Sequence, residues 1–204
     1  MAGSGSKLEV EVKFLVPDLA NFRETLLAAG ARLERPRVYE RNVRYDSVDD
    51  RLLQRDELLR LRQDTVARLT FKGVDQSTGQ SEAKVREEIE VEVEDFDRVA
   101  SIIKRLGYEP KQVYEKYRET FWLGEVEVVL DEMPFGNFVE LEGEEEVIKA
   151  AANHLGLDWN RRIVTNYLDL MARLKAYHNL SFDDLTFANF EGLPVSVADI
   201  LLYG

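Results

Sequence analysis

The chain has 204 residues, 45% hydrophobic and 32% charged, with a net charge of −12. That length suits one large domain or two small ones with a proper core, and the acidic balance argues against a nucleic-acid surface, because phosphate-backbone binders carry basic patches. With no cysteine and two histidines, disulfides, thiolate zinc sites and cysteine nucleophiles are excluded, and any metal falls to carboxylates, which favour hard ions such as Mg²⁺, Mn²⁺ or Ca²⁺. No apolar run approaches the length of a membrane-spanning helix, so a soluble globular protein is expected. Residues 1–6 lack an apolar signal region and read as a short flexible leader, which makes the cytoplasm the default location.

In chain order, residues 8–16 (LEVEVKFLV) alternate as a strand does. Leu8, Val10, Val12 and Phe14 share one face, and Glu9, Glu11 and Lys13 the other. Pro17 and Asp18 open a helix through Ala29, stopped near Gly30. A second strand is expected over 37–47, then a hairpin of 58–63 and 67–73 joined by a polar link at Asp64 and Thr65. Residues 75–83 are polar and should form an exposed loop. Residues 84–93 alternate again, and 95–106 form a capped amphipathic helix ending at Gly107. Strands follow over 113–123, 125–131 and 137–142, with helices over 144–155 and 166–177. The tail from Leu180 offers Phe182, Leu185, Phe187, Phe190, Leu193 and Leu201 as anchors. No linker divides residues 7–204, so a single domain is expected. Eight strands with helices inserted irregularly between them predict an α+β protein: an eight-stranded antiparallel closed β-barrel with helices packed outside.

The period-two charges carry the chemistry. They are Glu9, Glu11 and Lys13; Arg60 and Arg62; Arg86, Glu88 and Glu90; Lys116 and Arg118; Glu140 and Glu142; Lys72 and Asp131 stand singly near strand ends. On one strand such a face is ordinary solvated surface. Its repetition with both signs, beside apolar alternates such as Leu59, Leu61, Ile89, Val91, Val139 and Leu141, implies apolar faces under helices and charges turned to a lumen. Desolvated charges need partners. A divalent cation would satisfy the carboxylates and a polyanion the guanidinium and ammonium groups, so a metal-bound polyphosphate meets both demands.

These residues resemble the CYTH superfamily, the triphosphate tunnel metalloenzymes, which include class IV adenylyl cyclases, thiamine triphosphatases and inorganic triphosphatases. Glu9, Glu11 and Lys13 form its ExExK signature. NVRYD from Asn42, LRLR from Leu59, LTFKG from Leu69, REEIEVEV from Arg86, EKYRE from Glu115 and LDEMPFGNFVELEG from Leu130 follow in the family's order. Thr165, Asn166 and Tyr167 are similar to its C-terminal Ser-Tyr pair, and Arg44 stands where many members have Tyr. The resemblance implies a triphosphate tunnel open at both ends. Glu9, Glu11, Asp131, Glu140 and Glu142 would bind the metal, Mg²⁺ or Mn²⁺. Lys13, Arg60, Arg62, Lys72, Arg86, Lys116 and Arg118 would bind phosphate, with Glu9, Glu11 and Lys13 catalytic and Glu88 and Glu90 additional tunnel residues.

The implied function is divalent-metal-dependent triphosphate hydrolysis. Inorganic triphosphate is preferred because the lining identified from the sequence is nearly all charged. The alternatives are a class IV adenylyl cyclase forming cyclic AMP and pyrophosphate from ATP, a thiamine triphosphatase, or a non-catalytic polyphosphate-binding module. The expected partner is a triphosphate-containing small molecule, with no nucleic acid or membrane partner, and the chain is expected as a monomer or homodimer.

Overall fold

The computed structural model describes residues 7–74 and 84–201, and only the backbone at 7–9, 74 and 84–85. The leader expected at 1–6 and the loop expected at 75–83 lie outside the described residues. The elements are β1 (Lys7–Val16), α1 (Leu19–Ala28), β2 (Arg32–Asp46), β3 (Leu58–Gln63), β4 (Ala67–Val74), β5 (Lys84–Val93), α2 (Phe96–Arg105), β6 (Glu109–Leu123), β7 (Val126–Met133), β8 (Gly136–Glu142), α3 (Glu145–His154) and α4 (Tyr167–His178). Short helical turns lie at Leu53–Arg55, Trp159–Arg161, Phe187–Phe190 and Ala198–Leu201.

The strands pair antiparallel in the order β1-β5-β4-β3-β2-β6-β7-β8. β1 pairs with β5 through residues 7–11 and with β8 through residues 11–16, so the sheet curls until its last strand lies beside its first. The α+β class and the eight antiparallel strands match the expectation from sequence. β2 differs, beginning at Arg32 rather than near 37. Its pairing with β6 shifts register between Leu33 and Arg35 and again between Arg35 and Val38. Pro36 cannot donate to the ladder, so irregular pairing there breaks the period-two pattern that sequence reading depends on. Pro110 likewise hides the start of β6 at Glu109.

Local chemistry sets the helix ends. The Asp18 carboxylate accepts the N–H groups of Ala20 and Asn21 at the start of α1, and Asp95 accepts that of Arg98 at α2. Asn166 does the same for Asp169 at α4. Gly124 opens the two-residue turn between β6 and β7 at φ +61°, which a side chain would resist.

Apolar residues pack on the outer face. Val12, Phe14, Val128, Leu130, Val139 and Leu141 meet Phe22 and Leu26 of α1 and Ile148 and Ala152 of α3. Val43, Tyr45 and Leu61 pack with Ile103 of α2. A third cluster forms on the inner side instead. Phe138, on the same face of β8 as Glu140 and Glu142, packs with Phe135, with Leu170, Met171 and Leu174 of α4 and with Leu185, Phe190 and Val197 of the tail, and Met171 reaches the cavity lining. Ile89 and Val91 of β5 depart from expectation: each is 53% exposed, and among the described residues α2 packs only on Val93 at the end of that strand. Leu193, expected as an anchor, is 40% exposed. Phe187 packs on Tyr117, and Phe182 and Leu201 join the third cluster. The segments on either side of α4 are stitched to the sheet by bridges from Ile163 to Lys13 and from Leu185 to Tyr114. Among the described residues, no helix is long and apolar enough to cross a membrane.

Candidate active site

With most apolar strand residues committed to the outer face, strand alternation sends the charged residues inward, and they line much of a cavity of about 1040 Å³. Of the residues singled out in the sequence, Glu11, Lys13, Arg60, Arg62, Lys72, Arg86, Glu88, Glu90, Lys116, Arg118, Glu140 and Glu142 line it. Glu9 faces Arg86 in the β1–β5 register, and its side chain lies outside the described residues.

One wall is acidic. Glu11 of β1 is directly opposite Glu142 of β8, which is opposite Glu127 of β7. Like charges placed opposite one another on neighbouring strands repel, and a cation between them relieves that repulsion. This hard oxygen donor set suits Mg²⁺ or Mn²⁺. Among the described residues no three carboxylate or imidazole groups are gathered tightly enough to form a metal centre. Glu11 turns to Lys13, at 2.6 Å, and Lys13 also reaches Glu140 at 3.3 Å. Burial and the Glu140 charge oppose the charged form of Glu11, but the charge and hydrogen bond of Lys13 together with the Lys72 ammonium prevail and hold the carboxyl at about 2. Burial likewise works against the charge on Lys13, yet Glu11 and Glu140 push its pKa up.

Asp131 behaves differently from the expected metal ligand. Fully buried, it is absent from the cavity lining. Its oxygens accept from Lys116 at 2.9 Å, from Arg118 at 2.7 and 2.6 Å, and from the Tyr167 hydroxyl at 3.0 Å. Arg118 also donates to Glu140 at 2.5 Å. Asp131 thus anchors two cations that face the cavity. Burial raises the Tyr167 pKa, and the Asp131 and Glu140 carboxylates push it further up, so this hydroxyl stays a donor.

The opposite wall is basic, with acidic residues between the cations. Arg60 donates to Thr70 at 3.1 Å and to the Tyr114 hydroxyl at 3.3 Å, and Arg62 donates to Glu90 at 3.1 Å. Thr70 in turn donates to Glu90 at 2.8 Å, while Lys72 pairs with Glu88 at 3.2 Å. Glu88 and Glu90 therefore face the cationic groups of β3 and β4.

Several lining residues escaped the sequence reading. Glu40 lies 3.7 Å from both Lys116 and Arg62, and its Oε2 has no hydrogen-bond partner. Burial would raise its pKa, but Lys116, Arg118, Arg62 and Arg60 together hold it at about 2. Arg68 and Glu127 follow the same period two as Lys72 and Asp131, so alternation could have found them. Asp56 comes from the β2–β3 loop, and Tyr167, named in the sequence only for its resemblance to the Ser-Tyr pair, comes from α4. Pro36, Val38, Trp122 and Val129 add an apolar stretch of wall, contrary to the expectation of an almost wholly charged lining.

A CYTH domain family model matches residues 7–160. A Methanocaldococcus jannaschii protein provisionally named an adenylate cyclase is 30% identical over 139 residues, covering 66% of this chain and 76% of that protein. A solved Vibrio parahaemolyticus structure with the same provisional name superposes with TM-score 0.71 at 21% identity, covering 82% of this chain and 99% of that one. A Hippeastrum protein, provisionally named an adenylyl cyclase and described as having dominant triphosphatase activity, gives TM-score 0.54 at 16% identity, over 78% of this chain and 91% of that one. At these identities the two structures speak to shared fold alone. The family-model match spans β1 through the helical turn after α3 and takes in every site residue named from the sequence, and on it the chain belongs to the CYTH domain family.

Proposed function

We propose that this protein is a divalent-metal-dependent enzyme that hydrolyses a triphosphate, with inorganic triphosphate its preferred substrate and the curled sheet acting as a tunnel around it. The observation that carries this reading is the division of one cavity into a carboxylate row on β1, β8 and β7 and cationic walls on β3, β4 and β6. Glu11, Glu142 and Glu127 would hold the metal, with Glu140 beside them and Glu9 joining them by its place in the signature. When bound, Mg²⁺ or Mn²⁺ supplies charge neutralisation at phosphate oxygens and a more acidic water.

The chain's own residues do the rest. Arg60, Arg62, Lys72, Arg86, Lys116 and Arg118 bind the phosphoryl oxygens and balance charge on the leaving diphosphate. Lys13, held cationic between Glu11 and Glu140, binds phosphate where the acidic and basic walls meet. Asp131 and Tyr167 fix Lys116 and Arg118 rather than bind the metal. Water attacks the terminal phosphorus, the anhydride P–O bond breaks, and phosphate and diphosphate leave.

A second reading has its own support. The apolar stretch at Pro36, Val38, Trp122 and Val129 offers a surface for a nucleobase, and the cyclase name of the Methanocaldococcus jannaschii relative agrees with it. There the ribose hydroxyl of ATP replaces water and pyrophosphate leaves. Product analysis with Mg²⁺ and with Mn²⁺ separates the two. Orthophosphate from tripolyphosphate, without cyclic AMP from ATP, is expected. Cyclic AMP with pyrophosphate from ATP, and intact tripolyphosphate, would reverse the assignment.

A further inference from the structure

The loop between β2 and β3 reaches the cavity through a residue that strand alternation does not reveal. Asp46, fully buried, pins its base by accepting the N–H groups of Ser47, Leu52 and Leu53 at 2.8, 2.9 and 3.0 Å. The Leu53 carbonyl accepts the Asp56 N–H at 3.0 Å, and the Leu52 carbonyl accepts that of Glu57 at 2.8 Å. Asp56 is thereby set in the left-handed conformation, at φ 55° and ψ 34°. From there it meets Arg86 of β5 twice. Its backbone carbonyl accepts from Nη1 at 2.7 Å, and its carboxylate accepts from Nη2. The Arg86 side chain is 10% exposed and that of Asp56 67%, so a cation in the cavity wall is held by a partner on the rim. In the sheet β4 separates β3 from β5, so the loop spans a strand to make this contact.

We propose that Asp56 is the positioning residue of Arg86, fixing the guanidinium so that a triphosphate meets it already aligned. This inference rests on the reading of Arg86 as a phosphate-binding residue. The two contacts occupy one hydrogen on each terminal nitrogen of a group with five N–H donors, which leaves the others for phosphate oxygens. An unrestrained arginine samples many rotamers, and ordering it before the ligand arrives removes that cost from binding. A carboxylate that merely masked Arg86 would have the opposite consequence, since its removal would tighten anion binding.

The test turns on that sign. Asp56→Gly deletes the carboxylate while keeping the carbonyl and a left-handed backbone, which alanine would strain. Asp56→Asn keeps an acceptor oxygen and tolerates the same backbone. Titration calorimetry with inorganic tripolyphosphate, without metal so that no turnover accompanies binding, is run on wild type, both variants, Arg86→Ala and the Asp56→Gly/Arg86→Ala double variant. Asp56→Gly is expected to weaken binding about tenfold, with Asp56→Asn between it and wild type and no added effect of Asp56→Gly once Arg86 is gone. A wild-type protein that binds no tripolyphosphate overturns the triphosphate reading itself. Wild-type binding with unchanged or tighter binding in Asp56→Gly, or with the same weakening in the Arg86→Ala background, overturns the positioning role alone.

Discussion

The β6–β7–β8 wall and the β4–β5 wall face each other across one cavity but are built differently. Behind the first, α1 and α3 bury the outer faces of β7 and β8, and in front of it a fully buried Asp131 holds Lys116, Arg118 and Tyr167. Behind β5, α2 reaches only the Val93 end and Ile89 and Val91 are exposed, and in front of it the cations lean on Glu88 and Glu90, whose side chains are 20% and 29% exposed. The first wall is packed on both faces and has its charges fixed before any ligand arrives. The second is held mainly by its ladder and by ion pairs that water partly screens. A cavity for a polyanion can thus combine a preset wall with an adjustable one.

Asp131→Ala should break the contrast most severely. It strands two buried cations and a hydroxyl, and loss of one partner of a buried pair costs about 3–5 kcal/mol. Denaturant unfolding should show a loss of that order, with turnover of tripolyphosphate falling as Lys116 and Arg118 lose their alignment. Acid is a gentler probe of the centre. Glu40 has a folded-state pKa near 2, below its usual 4.5. Its contribution is fully present above pH 4.5 and is lost as pH falls toward 2, so unfolding midpoints should hold steady above that window and drop within it. In Glu40→Gln that part of the drop should vanish. On the adjustable wall, Glu90→Gln should change stability by no more than about 1 kcal/mol. It should still raise KM several-fold through Arg62 and Thr70, which kinetics on the purified variant would show. The smallest effect is expected at the bare outer face, where Ile89→Thr should stay within about 0.5 kcal/mol of wild type. A loss at Ile89 as large as that at Asp131 would erase the distinction between the walls.

The same contrast marks what could be read from the chain alone. β1, β3 and β8 were legible because an apolar face under a helix and a charged face toward the cavity enforce period two, and Glu11, Arg60 and Glu142 came out with them; β5 was legible from its alternating charges, although Ile89 and Val91 lie exposed. The start of β2 was hidden because Pro36 and two register shifts break that period. Glu127 and Arg68 obeyed the rule and were overlooked. Asp131 was visible as an inward residue, but its partners come from β6 and from α4, so its role as an anchor depends on pairings that spacing does not encode. Asp56 lies in a loop, where alternation carries no information. Ile89 and Val91 read as buried because their pattern matches that of covered strands, and whether a helix lies above them is a fact of topology.

The central claim is that the carboxylate row and the cationic walls act together on a triphosphate. The most direct measurement follows tripolyphosphate by phosphorus NMR with Mg²⁺ or Mn²⁺, for wild type and for Glu142→Gln, with circular dichroism to verify that the variant is folded. Conversion to orthophosphate and pyrophosphate is expected from the wild type only when metal is present, and none from the folded variant. Unchanged tripolyphosphate with the wild type, or equal turnover by Glu142→Gln, would contradict it.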